Sequence, residues 1–152
     1  MKDSRRLIDA VGLALTSDEV RDEALQLAAA VLLVDVARAD HTFDDSEFER
    51  VLNLVEKYFE LDAEAAGALV NRAFVHAEEL VSVHEFTRFL HQSLGPQEKA
   101  RIVDLLWQIA CADGQLHPYE NALILKISDL LYVNRARSLR SKHDAIVVAS
   151  ET

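Results

Sequence analysis

Apolar side chains recur every three to four residues along most of the chain, which is the spacing of one face of an α-helix. The run from Leu27 to Val34 is apolar on every side and predicts a helix at the centre of a bundle. No segment keeps the alternation of apolar and polar residues that is typical of a β-strand. The pattern therefore predicts an all-α fold, a single bundle of about seven helices.

Residues that favour helix ends stand between the apolar runs. Asp44 precedes Glu47 by three residues, the spacing of a capping box, in which each residue bonds a free backbone N–H of the other. Pro118 suits the first turn of a helix because its missing N–H would be unpaired there in any case. The seven predicted helices open at Ser4, Thr16, Asp44, Asp62, Ser82, Gly95-Pro96 and His117.

The helical pattern is lost after Asn134. Residues 135–152 carry four Lys or Arg and two acids, a net charge of +2. We predict a helical domain over residues 1–134 and a basic, flexible tail over residues 135–152. The alternative is a basic arm that lies on the acidic body of this molecule or of a neighbour.

One stretch of the chain occurs twice, at a constant offset of 73 residues. The offset is the difference between positions 113 and 40, and it holds without a gap over about 28 positions. Such regularity indicates an internal duplication of a helix–turn–helix hairpin. The paired positions include Asp40/Asp113, Phe43/Leu116, Glu47/Glu120, Leu33/Leu106 and Val51/Ile124.

The two copies read ARAD-x-x-F-D-x-x-E from Ala37 and ACADG-x-L-x-x-x-E from Ala110. These motifs resemble the signature of the TerB tellurite-resistance family, and a similar pattern occurs in the TerB-like domain of DjlA-type co-chaperones. The resemblance covers roughly Ala24 to Asn134. It implies an all-α domain without known catalysis, linked to stress response and suspected of binding metal through these acids.

The chain is strongly acidic, with 26 Asp and Glu against 16 Lys and Arg and a net charge of −10. This charge disfavours nucleic acid as a partner, because phosphate contacts require a basic face. It favours cations and protein partners with basic surfaces. The oligomeric state stays open, and a homodimer is compatible with the sequence.

Cysteine usage and hydropathy bear on the compartment. Cys111 is the single cysteine, so no intrachain disulfide can form, which fits a reducing compartment. No stretch reaches the ~20 apolar residues of a membrane span. The N-terminus has no long apolar region typical of a signal peptide. We therefore expect a cytoplasmic protein without a membrane span.

The duplicated acids are the candidate metal ligands. Asp40 and Asp113 are placed at helix C-termini, where a negative charge opposes the helix dipole and a bound cation would offset it. An Asp, an N3 Glu and loop carbonyls at one helix mouth could bind a hard cation such as Ca²⁺ or Mg²⁺. An imidazole in the second copy leans toward Zn²⁺, a weaker expectation. The predicted ligands are Asp40, Asp44, Glu47, Asp113, His117 and Glu120.

A simpler hypothesis gives these acids no ligand. Asp44, Glu47 and Glu120 would then act only as helix caps, and the protein would be a metal-free interaction scaffold of the DjlA type. The loops also lack the ligand run of an EF-hand. We find no nucleophile, phosphate-binding loop or Ser/His/Asp set in the sequence, so no catalytic residues are predicted. The expected function is a non-catalytic, TerB-like module that binds a divalent cation and presents an acidic face to protein partners.

Overall fold

The computed structural model describes residues 17–39, 44–79, 83–112 and 114–150. Within these ranges the chain forms seven helices and no strand, which confirms the predicted all-α bundle. The predicted helix from Ser4 and the predicted caps Thr16 and Ser82 lie outside the described residues. The helices are α1 (Ser17–Ala37), α2 (Asp45–Phe59), α3 (Ala63–Glu78), α4 (His84–Ser93), α5 (Pro96–Cys111), α6 (Pro118–Leu130) and α7 (Arg135–Ser150).

Helix α1 occupies the centre of the bundle. Every residue from Leu27 to Val34 is buried, as its uninterrupted apolar run predicts. The helix packs against α2, α3, α4, α5 and α6, so no side of this segment faces solvent. Burial of a Leu or Val side chain contributes about 1.5–3 kcal/mol, and α1 therefore supplies much of the core.

Short-range caps set where several helices begin. The Asp44 and Asp62 side chains accept hydrogen bonds from the backbone N–H groups of Glu47 (2.9 Å) and Ala65 (2.8 Å). Both caps were predicted from the sequence. Helix α4 begins at His84 instead, after an N-cap residue whose side chain makes no capping bond.

Helix α7 lies where the sequence predicts a basic, flexible tail. Residues Arg135–Ser150 form a helix, and its packing against α5 is among the most extensive between helices in the bundle. Asn134 opens this helix, because its Oδ1 accepts the backbone N–H of Ala136 at 2.8 Å. The alternative from the sequence, a basic arm lying on the acidic body, agrees better with this placement. The domain limit at residue 134 stays a prediction.

A buried polar chain joins α7 to the core. The Trp107 indole Nε1–H donates to Ser138 Oγ at 3.1 Å, and Ser138 and Ser128 join their hydroxyls at 2.8 Å. Because Ser128 donates its own proton to the Ile124 carbonyl, Ser138 is the donor between the two serines. Serines therefore occupy core positions in α7, where hydrophobic periodicity would require apolar residues.

The helix order follows the 73-residue offset beyond the hairpin. Helix α2 begins at Asp45 and α6 begins at Pro118, as the offset requires. The most extensive packing joins α1 to α3, and the next joins α5 to α7. The structure thus has two three-helix units, α1–α3 and α5–α7, with α4 between them. The duplication itself remains an interpretation of the sequence.

Candidate functional site

The first connection runs from the end of α1 to the start of α2. Its described end is Asp44, an exposed residue whose Oδ1 accepts both the Glu47 N–H and the Ser46 hydroxyl, at 2.9 and 2.8 Å. These hydrogen bonds favour the charged carboxylate, the Glu47 backbone bond most of all, and hold the pKa of Asp44 below its ordinary value. The carboxylate is therefore ionised at neutral pH.

Other acids surround this cap. Asp45 and Glu49 are exposed on the first turns of α2, and Glu47 is half-buried at the N3 position. The first connection thus presents a concentration of carboxylates to solvent. Such a surface attracts cations and basic protein segments.

The helix that leads into this connection has no basic residue in its last turn. Arg38 follows directly, and its guanidinium lies over the Phe74 ring, 5.1 Å from the centroid. One turn back, burial raises the pKa of Asp35, and the nearby charges of Arg38 and Lys126 offset part of this effect. The C-terminus of α1 is therefore a negative helix end without a basic side chain in its final turn.

The second connection, from α5 to α6, has a different geometry. Gly114 adopts a φ of 81°, in the left-handed region that glycine enters without strain, and its N–H bonds the Cys111 carbonyl at 3.0 Å. The His117 N–H donates to Glu120 Oε1 at 3.3 Å, which confirms the predicted roles of His117 and Glu120 at the cap and N3 positions. Glu120 is only 6% exposed. Burial and this bond limit what its carboxylate can offer to an ion from solvent.

The two remaining predicted ligands, Asp40 and Asp113, lie outside the described residues. The convergence of the four carboxylates at positions 40, 47, 113 and 120 therefore stays a prediction. Among residues that it does describe, no group of three or more His, Cys, Asp or Glu could hold a metal ion. Of the six predicted ligands, Asp44 accepts a backbone N–H as the N-cap of α2, and Glu120 accepts a backbone N–H as the N3 residue of α6.

Sequence reasoning missed a polar cluster between α5 and α7. The Arg137 guanidinium makes a two-pronged contact with the Asp104 carboxylate, at 2.9 and 3.1 Å. The Ser141 hydroxyl donates to Asp104 and lies against Arg137. The hydrogen bonds that Arg137 donates to Asp104 raise the pKa of Arg137 above its ordinary value. Helical spacing of small residues in the tail was the signal that could have revealed this face.

Comparison with models of protein families identifies the family of this chain. The family model described as tellurite resistance protein TerB matches residues 26–143. The chain belongs to the TerB family. The TerB region includes both connections and the first half of α7, so the predicted domain limit at residue 134 falls inside it. TerB is not a known enzyme family.

Searches among curated proteins and among solved structures gave no match for this TerB chain. In the part of the chain that the structure describes, none of the helices is both long and apolar enough to span a bilayer.

Proposed function

We propose that this TerB protein is a non-catalytic stress-response module that binds a divalent cation at the first connection. The cation would be Ca²⁺ or Mg²⁺, held by Asp40, Asp44 and Glu47 with backbone carbonyls. The observation that carries the proposal is the exposed, ionised Asp44 carboxylate, in a connection that follows a helix whose last turn has no basic residue. Membership in the TerB family supports the stress-response role.

The second connection is the weaker candidate for a cation. Glu120 is buried and its Oε1 accepts the His117 N–H, so its carboxylate is less accessible to an ion from solvent than that of Asp44. A site with His117 and Asp113 would favour Zn²⁺ over Ca²⁺. We therefore assign the cation to the first connection.

The acidic surface around Asp44, Asp45 and Glu49 is the proposed docking face for protein partners. These residues are exposed on consecutive turns at one end of α2. A basic segment of a partner would be drawn to them by charge, and a bound cation would reduce the repulsion among them. Cation binding and partner binding would then be coupled at one site.

A metal-free scaffold is the second candidate function. It is favoured by the hydrogen bonds of Asp44 and Glu120, which give both residues a structural role without an ion. In that case the acidic face alone would contact partners. Both candidate functions require the same fold, and they differ only in whether the protein binds a cation.

Calorimetric titration separates the two candidates. Chelator-treated protein is titrated with Ca²⁺, Mg²⁺ and Zn²⁺ in turn, and Asp40→Asn and Asp44→Asn are titrated in parallel. We expect a single saturable site for Ca²⁺ or Mg²⁺ that either substitution weakens. Absence of binding heat with all three ions would leave the scaffold as the function.

A further inference from the structure

A groove runs along the outer side of α5, between α2 and α7. Three adjoining cavities of about 300, 360 and 380 Å³ lie along it, and Gln108 lines all three. The α5 side of the groove extends from Arg101 to Ala112. At 1.5 Å per residue this is about 16 Å, enough for about three turns of a docked helix.

The floor of the groove is mostly apolar in the cavity of about 300 Å³. Leu54 and Ile109 contribute to it from α2 and α5, and Ala145 and Val148 from α7. Val148 is 60% exposed, so an occupant would remove a large apolar side chain from water.

The rim of the groove is basic, although the protein is acidic. Five of the 16 Lys and Arg side chains line it, against three of the 26 acids, so the groove carries +2 and the rest of the chain −12. One of the three acids, Asp104, is paired with Arg137. The five basic residues are Arg50, Lys57, Arg101, Arg137 and Arg140.

We propose that this groove binds an acidic amphipathic helix of a partner protein. An apolar stripe on that helix would pack on Val148 and the floor, and acids on both sides of the stripe would face the basic rims. A nucleic acid has no apolar stripe that could pack on this floor. The groove is on α2, α5 and α7, so this proposal does not depend on cation binding.

Fluorescence anisotropy with a designed peptide tests the proposal. The probe is a labelled helix of about four turns, with Leu along one stripe, Glu on both flanks and Ala elsewhere. One control peptide replaces Glu by Lys, and another keeps the composition but scrambles the stripe. We expect saturable binding of the acidic amphipathic peptide alone, weakening as salt concentration rises. Equal binding of the scrambled or the basic peptide, or no binding of the probe, would overturn the proposal.

Two variants of the protein test whether the peptide binds in the groove. Arg101→Glu reverses an exposed rim charge, and Val148→Asp puts a charge on the exposed part of the floor. We expect each to weaken binding about tenfold. The matched controls are Arg88→Glu on α4 and Val75→Asp on α3, where Val75 is 55% exposed. Unchanged affinity in both groove variants would refute the assignment of the site.

A second copy of the chain is the competing occupant, because its surface outside the groove is acidic. Sedimentation equilibrium of the full chain distinguishes this case. We expect a monomer, or an oligomer that Arg101→Glu and Val148→Asp leave intact. An oligomer that both groove variants dissociate, while Arg88→Glu does not, would replace the partner helix by self-association.

Discussion

The two three-helix units share an order of helices but differ in what holds the third helix. In the first unit, α3 packs on α1 through apolar residues such as Leu69 and Val70, both buried. In the second, α7 buries only Ser138, Ser141 and Ala145 against its neighbours. Apolar contact thus dominates the first interface, whereas the second also depends on hydrogen bonds between polar side chains.

This difference shows what hydrophobic periodicity can detect. It finds α3 because the buried side chains are the apolar ones. It misses α7 because the inward face is made of small hydroxyl residues while Leu139 and Ile146 are exposed. A helix can be part of the core without an apolar stripe when its buried polar groups are all paired.

The largest expected effect comes from removing α7. A chain that ends at Asn134 would expose Trp107 and leave its indole N–H without Ser138. We expect a loss that is a large part of the about 5–15 kcal/mol that stabilises a typical domain. Urea unfolding followed by circular dichroism measures it, with Leu139→Ala, an exposed position of α7, as the control. An unchanged urea midpoint would show that residues 135–152 form a frayed tail that does not stabilise the core.

The next largest effect is expected from a substitution that removes one hydrogen bond between α5 and α7. Ser138→Ala leaves the buried Trp107 N–H unpaired, so we expect the free energy of unfolding to fall by about 1–3 kcal/mol. The matched control is Ser150→Ala, since Ser150 is exposed on the same helix and donates to the nearby Val147 carbonyl. Adding Trp107→Phe should make the Ser138 change less costly, because no donor is then stranded. Additive losses in the double variant would contradict the hydrogen-bonded chain.

A smaller effect compares the two connections. Glu120 is buried and bonds the His117 backbone, whereas Glu47 is half-buried at the matching position. We expect Glu120→Ala to lower the free energy of unfolding by about 1 kcal/mol, and by more than Glu47→Ala. Urea unfolding of both variants is the measurement. A larger loss for Glu47→Ala would reverse the assignment of the buried, structural acid to the second connection.

The smallest expected effect is on the melting temperature at acidic pH. The pKa of Asp44 is lower in the folded protein than its ordinary value of 3.8, so its contribution to stability is present above 3.8 and is lost as pH falls through the folded pKa. Asp44→Asn should flatten the dependence of the melting temperature on pH in this acid range, compared with wild type. Asp45→Asn carries the same charge change and serves as the control. Identical profiles for wild type and Asp44→Asn would show that the cap contributes no pH dependence.

The sequence predicted most of the fold because local rules act there. The apolar run of α1 and the caps Asp44 and Asp62 depend on residues close in the chain, and the structure confirms all three. The burial of Glu120 depends on helices packed around it. The groove depends on three helices far apart in sequence. Neither could be derived from spacing alone, whereas Asn134 is a local cap signal that is visible in the sequence.

The central proposal is that the first connection, where Asp44 is exposed, and not the second, where Glu120 is buried, holds a divalent cation. The most direct measurement is the melting temperature in chelator and in excess Ca²⁺ or Mg²⁺, for wild type, Asp40→Asn and Asp113→Asn. A bound ion raises the melting temperature according to the ratio of free ion to its dissociation constant. We predict a rise in wild type and Asp113→Asn that Asp40→Asn abolishes. A melting temperature that is the same with chelator and with ion in wild type would contradict the proposal.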